Sequence, residues 1–189
     1  MKYGRIFYYD IANGAGVRTA LFVSGCRHHC KECFNPETWS FDYGEEYTKT
    51  VEDQILDSLK PGYVEGISLL GGEPMEPENQ PSVRGLIERV HEEYPEKNIW
   101  MYSGYTWEEL TDETNERCHT KDTDAILSGI DILVDGEFMI DKKNISLRFR
   151  GSENQRVIDV KETLKNGGIV LSKYMTAVRG GVKRANEEE

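Results

Sequence analysis

Nowhere in the chain is there an apolar run approaching the roughly 20 residues that a membrane span requires. The opening segment, Met1-Lys2-Tyr3-Gly4-Arg5, carries no apolar signal core and no cleavage pattern, so the protein is expected to stay in the cytoplasm. Internal repeats are missing, as are low-complexity tracts, apart from Asn186-Glu187-Glu188-Glu189, which reads as a frayed tail. No linker rich in Pro, Gly or Ser divides the sequence. The expectation is one domain over residues 1–189, a size that buries roughly 70% of its unfolded surface without disulfide staples. Only four cysteines are present. In a cytoplasmic chain they point to metal or redox chemistry instead of a disulfide frame.

Positive charge is scarce as well. There are 23 Lys and Arg against 34 Asp and Glu, for a net charge of -11. Residues 1–139 hold 12 basic against 27 acidic side chains, whereas residues 140–189 hold 11 against 7. Such acidity repels a phosphate backbone and excludes general nucleic-acid binding. The basic C-terminal third, residues 140–184, suits an anionic ligand or partner segment, or forms a solvated charged face.

What is present alternates between strand and helix patterns. Val17 to Ser24 is rich in β-formers and stops at Gly25; Ile67 to Leu70 stops at Gly71-Gly72; Asn98 to Tyr102 stops at Ser103-Gly104; Ile132 to Val134 stops at Asp135-Gly136. Between them, Val51, Ile55, Leu56 and Leu59 recur at helical spacing, and Pro81 opens a helix with Val83, Leu86, Ile87, Val90 and Tyr94 on one face. Thr106 and Glu109 form a capping-box pattern. Beyond residue 135 the pattern changes to alternation at Ile145, Leu147 and Phe149, followed by Val157, Ile158 and Val160. The prediction is an α/β fold with mainly parallel strands, an incomplete open (β/α) barrel, whose functional loops sit at the strand C-termini.

Cys26, Cys30 and Cys33 lie within eight residues on the loop after the first of these strands. Thiolates suit iron–sulfur clusters and zinc. A closed zinc site needs a fourth ligand, which here means His28, His29, Cys118 or His119. A four-iron cluster on three thiolates leaves one iron open for a substrate. Otherwise His28 and His29 read as solvated side chains, Cys118-His119 as incidental, and Trp39, Trp100 and Trp107 as packing residues. Asn13-Gly14-Ala15-Gly16 precedes a strand and reads as a plain turn, not a nucleotide fingerprint.

The spacing C-x3-C-x2-C with aromatic Phe34 directly after the last cysteine resembles the signature of the radical S-adenosylmethionine superfamily. More narrowly, the chain resembles the activating proteins of anaerobic (class III) ribonucleoside-triphosphate reductase. The likeness is carried by Asn13 to Arg18, Cys26 to Trp39, Gly71-Gly72-Glu73-Pro74, Tyr102 to Tyr105, Val134 to Phe138 and Arg150 to Arg156. It departs at Glu32, where glycine is common in that family, and at Glu137, where proline is common.

The resemblance implies a 4Fe-4S cluster on Cys26, Cys30 and Cys33, and S-adenosyl-L-methionine on the open iron. Around that cofactor it places Glu32, Cys33, Phe34, Gly71, Gly72, Glu73, Ser103, Tyr105 and Asp135. Backbone carbonyls near Gly71-Gly72, or the Glu73 carboxylate, are expected to accept from its ammonium group. Arg18 either meets a carboxylate of the cofactor or pairs with a surface acid. Arg150, Asn154, Gln155 and Arg156 contact substrate or partner, with loop-stabilising contacts as the competing reading. The implied partners are the large subunit of the reductase, a low-potential electron donor such as flavodoxin, and a second copy in a homodimer. Two rival functions stand beside this one: a small-molecule radical enzyme similar to a deazaguanine synthase, and a non-catalytic zinc-binding adaptor.

Overall fold

The computed structural model describes residues 1–176. The tail at Asn186–Glu189 and the end of the basic third, 177–184, lie outside the described residues. One seven-stranded sheet organises the rest: β1 (Lys2–Asp10), β2 (Val17–Val23), β3 (Glu45–Glu46), β4 (Val64–Gly71), β5 (Asn98–Tyr102), β6 (Ile132–Asp135) and β7 (Arg156–Asp159). Their spatial order is β3-β1-β2-β4-β5-β6-β7. The four central strands, β2, β4, β5 and β6, are parallel; β1 and β7 flank them antiparallel, and β3 pairs antiparallel with β1. The sheet is open, with β3 and β7 as its edges.

Residue alternation divides the sheet into two faces. Leu21, Leu69, Met101 and Leu133 stand in register across the four parallel strands. They pack under α1 (Lys49–Leu59), α2 (Gln80–Glu93), α3 (Trp107–Thr111) and α4 (Thr123–Gly129), whose apolar stripes include Ile55, Leu59, Leu86, Val90, Leu110 and Ile126. On the other face stand Phe22, Leu70, Trp100, Tyr102, Ile132 and Val134, covered by Phe149 and Tyr174 from the C-terminal segments. Thr106 and Glu109 close the expected capping box on α3.

Three elements differ from the sequence expectation. β1 was hidden because its outward positions carry aromatics: Phe7, Tyr8 and Tyr9 are all exposed. The alternation at 145–149 is not a strand; only Lys143 and Ser152 make a bridge there, and Ile145 is 79% exposed while Leu147 and Phe149 turn inward. Val160 starts a helix, α5 (Val160–Asn166), capped by the Asp159 carboxylate on the Glu162 amide and ended by left-handed Gly167.

Candidate metal centre

Parallel strands leave their C-terminal backbone ends and following loops at one side of the sheet, where open α/β sheets bind ligands. The cysteine loop leaves β2 there. Its stem is stitched to two neighbouring segments. Gly25 N–H donates to the Thr38 carbonyl (2.8 Å) and Cys26 N–H to that of Trp39 (3.1 Å), while Glu73 N–H donates to Gly25 (2.8 Å) and Gly72 N–H to Val23 (2.7 Å). The Asn79 amide reaches both the Ser24 and Glu73 carbonyls, at 3.0 and 2.9 Å. Arg27 continues the anchoring: its amide donates to Glu76 (2.7 Å), and its guanidinium pairs with Glu76 and Glu78 above the Phe41 ring.

The close approach of these strands explains the glycines. A Cβ on Gly72 would stand 2.6 Å from the Gly25 carbonyl oxygen, and one on Gly71, at φ +113°, 2.7 Å from the Phe22 backbone. Any side chain there would push the cysteine loop off the sheet.

Cys26, Cys30 and Cys33 are all free thiols, Cys26 buried and the others half-buried. Burial pushes the Cys26 thiol up to about 12, helped by the Glu73 charge and opposed by the His28 and His29 amides. Burial also raises Cys30, against the Phe138 amide. Asn35 N–H donates to Cys33 Sγ at 3.4 Å. Iron bound here must displace protons from these sulfurs, and the nearby amides then face thiolates.

Three of the four candidate fourth ligands, Cys118, His119 and His28, meet other polar groups. Cys118 is buried with its thiol on the Glu109 carbonyl (3.4 Å), and His119 Nδ1 meets the Leu110 carbonyl at 2.8 Å. His29 stacks on Trp39, with ring centroids 4.6 Å apart. His28 is not solvated: its side chain is 3% exposed, with Nδ1 2.6 Å from Glu137 and Nε2 3.2 Å from Glu73. Burial pulls the His28 imidazole down, but the two carboxylates outweigh it and hold its pKa at about 9. Among the described residues no three of His, Cys, Asp or Glu converge as around one metal ion. Cys26, Cys30 and Cys33 are three free thiols on one loop, a donor chemistry that fits an iron–sulfur cluster.

Beside the loop lies a cleft of about 390 Å³. Glu32 and Phe34 border it from the cysteine loop, Leu70 and Tyr102 from the strand ends, and Phe138, Phe149, Arg150 and Gln155 from the C-terminal segments. The Tyr102 hydroxyl is buried without a partner, a residue that sequence reasoning placed in a motif but not in the site. A larger hollow, about 540 Å³, opens at the other end of the strands between Glu65, Trp100 and Asp131, away from the cysteines.

Matches to known proteins fit this geometry. A family model described as a 4Fe-4S single cluster domain matches residues 12–158. A Vibrio cholerae protein is 43% identical over 157 residues, covering 82% of this chain and 96% of its own length. An Escherichia coli protein is 41% identical over 159 residues (83% and 97%), and one from Haemophilus influenzae 39% over 157 residues (82% and 96%). All three are named anaerobic ribonucleoside-triphosphate reductase-activating protein. The chain belongs to this family of reductase-activating proteins.

Several side chains expected to meet cofactor or partner are turned inward in this activating protein. The Glu73 carboxylate is buried and accepts from the Met75 and Gly104 amides at 2.8 and 2.6 Å. Asp135 is buried, accepting from the Trp107 amide (2.8 Å) and from Arg156. Ser103 Oγ accepts from the Tyr105 amide at 3.1 Å, and the Tyr105 ring packs edge-on to His28.

The residues expected to contact substrate or partner also make contacts within the chain. Arg18 is fully buried at the opposite end of the sheet, bonded to Ser68, Asn98 and the Ala15, Ile67 and Asn98 carbonyls. Arg156 pairs with Asp135 and Glu108. Arg150 donates to the Glu153, Gln155 and Met175 carbonyls, Asn154 to Glu137, and Gln155 to Gly136. These contacts tie the 150–156 block to Gly136, Glu137 and Met175 as well as within itself, while the buried Arg150 Nε has no partner. Only Arg150 and Gln155 also border the cleft.

Proposed function

We propose that this chain is a glycyl-radical activase of the radical S-adenosylmethionine type, working in the cytoplasm on the anaerobic ribonucleoside-triphosphate reductase. The observation that carries the reading is the set of three free thiols on the loop that follows β2, at the C-terminal end of the parallel strands and beside a cleft. Cys26, Cys30 and Cys33 would hold the cluster, and S-adenosyl-L-methionine would bind beside it in the cleft. When bound, cluster and cofactor together supply one-electron cleavage to methionine and a 5′-deoxyadenosyl radical, which removes hydrogen from a C-terminal glycine of the reductase.

The protein's own part is to bind, orient and exclude water. Gly71 and Gly72 bring the β4 backbone close to the cysteine loop, leaving main-chain groups rather than the Glu73 carboxylate to meet the cofactor. Phe138, Phe149 and Leu70 give the cleft apolar walls, and the unpartnered Tyr102 hydroxyl offers one hydrogen bond within it. A loop of the reductase, inserted into this cleft, completes the enclosure. The open sheet with its parallel centre supports an incomplete barrel of the superfamily type. A low-potential donor such as flavodoxin supplies the electron, and a homodimer is the proposed working form.

The test is anaerobic reconstitution with iron and sulfide, then incubation with reductase, S-adenosylmethionine and reductant. The expected result is a brown protein whose cluster spectrum shifts with the cofactor and a glycyl radical in electron paramagnetic resonance. A colourless protein holding one zinc, blind to S-adenosylmethionine, would overturn the proposal.

A further inference from the structure

His28 lies between two cluster ligands yet points away from solvent, into the junction of three strand ends. Its Nδ1 meets Glu137 Oε1 at 2.6 Å, just past β6, and its Nε2 lies 3.2 Å from Glu73 Oε2, just past β4, off the angle of a hydrogen bond. The same Glu73 oxygen accepts from the Gly104 amide, just past β5. The ring packs against Tyr105, centroids 4.4 Å apart, and directly over Gly104, where a Cβ would stand 2.6 Å from the imidazole. One side chain thus ties the cysteine loop, which follows β2, to the ends of the other three parallel strands.

We infer that His28 is a positioning residue: bridging Glu73 and Glu137, it fixes the cysteine loop against the strand ends and so sets how the loop would present a bound cluster to the cleft. The inference rests on the proposed function for its second half only. The physical reason is leverage. The loop carries two left-handed residues, His29 and Glu32, at φ 50° and 57°. Such backbone persists only where surrounding contacts over-determine it. The stem is held by the Gly25, Cys26 and Arg27 amides, whereas Cys30 lies beyond them, with its thiol near the Phe138 amide and the Glu137 carboxylate that His28 meets.

Two measurements test this, one on the metal-free protein and one on the reconstituted protein. In the metal-free protein, His28→Ala should speed alkylation of Cys30 severalfold, with Cys118 as internal reference. In the reconstituted protein, His28→Ala should retain full iron and sulfide but bind S-adenosylmethionine at least tenfold more weakly, read from the cofactor-induced change in the cluster's paramagnetic spectrum. His28→Asn, which keeps a donor toward Glu137, should recover much of both. Wild-type alkylation and wild-type cofactor binding in His28→Ala would overturn the inference. Should that variant fail to fold or to assemble, Glu137→Ala decides, because Glu137 is half exposed and its loss opens the same bridge. A tenfold weakening there supports the brace, and wild-type values in both readouts overturn it. If the wild-type spectrum ignores S-adenosylmethionine, the functional proposal fails, and alkylation alone still judges the brace.

Discussion

Arg18 and His28 sit at opposite ends of the same parallel sheet, and both are nearly sealed from solvent. At the N-terminal end, Arg18 directs five hydrogen bonds into Ser68, Asn98 and three backbone carbonyls, over the face of Trp100. Every donor is matched, so that end is closed chemically despite the hollow beside it. At the C-terminal end the polar groups are arranged otherwise. Three thiols are free, the Tyr102 and Tyr105 hydroxyls are buried without partners, and two non-glycine residues are left-handed. Among the described residues, unmatched polar groups collect at the cysteine end of the sheet, not at the Arg18 end.

The sharpest break between the two ends comes from the thiols. Replacing any one of Cys26, Cys30 or Cys33 by alanine should abolish cluster assembly and S-adenosylmethionine cleavage, measured as bound iron and sulfide and as methionine formed. Cys118→Ala should leave both intact, because that thiol packs in the core against the Glu109 carbonyl. Normal cleavage by Cys30→Ala would remove the cluster assignment.

Arg18→Met should do the reverse, costing stability and sparing the chemistry. It strands the Ile67 and Asn98 carbonyls inside the sheet, at roughly 1–3 kcal/mol for each buried group left unpaired. The expected loss in urea unfolding of the metal-free protein is roughly 2–6 kcal/mol. Folded Arg18→Met should still bind S-adenosylmethionine normally; weakened binding without loss of stability would return Arg18 to the ligand site.

The four parallel strands and the cysteine loop were legible in the sequence because local signals agreed: β-rich runs ended by glycine, then helices of regular period. What the sequence did not disclose is where polar side chains point. Glu73, Asp135, Arg18 and Arg156 carry the residue types of a ligand site, yet each has a partner 21 to 80 residues away along the chain. Such pairings depend on strand order, which no short motif encodes. His28 shows the opposite error: flanked by exposed Arg27 and His29 it reads as solvated, but Glu137, 109 residues later, draws it inward.

Arg156 gives a smaller test of the same point. Arg156→Gln removes the partner of buried Asp135 and of Glu108, while the Trp107 amide still faces Asp135. A loss of about 2 kcal/mol is expected, since one charge-assisted contact is buried and the other exposed. Glycyl-radical yield per folded molecule should be unchanged. A fall in yield with stability intact would restore Arg156 as a partner contact.

The smallest effect separates strain from contact within the cysteine loop itself. Glu32 is exposed and left-handed at φ 57°, a conformation that costs an L-residue roughly 1–2 kcal/mol and glycine nothing. Glycine in turn loses more freedom on folding, by roughly 0.5–1 kcal/mol. Glu32→Gly should therefore stabilise the metal-free protein by up to about 1 kcal/mol, or raise its midpoint by roughly 2–4 °C for a domain of this size. Because Glu32 also borders the cleft, its carboxylate has a second possible purpose. A stabilised variant with unchanged S-adenosylmethionine affinity would show that the side chain contributes only strain. A stabilised variant that binds the cofactor several-fold more weakly would show that glutamate persists here because it touches the ligand, so that even the exposed rim of the cysteine loop belongs to the chemical end of the sheet.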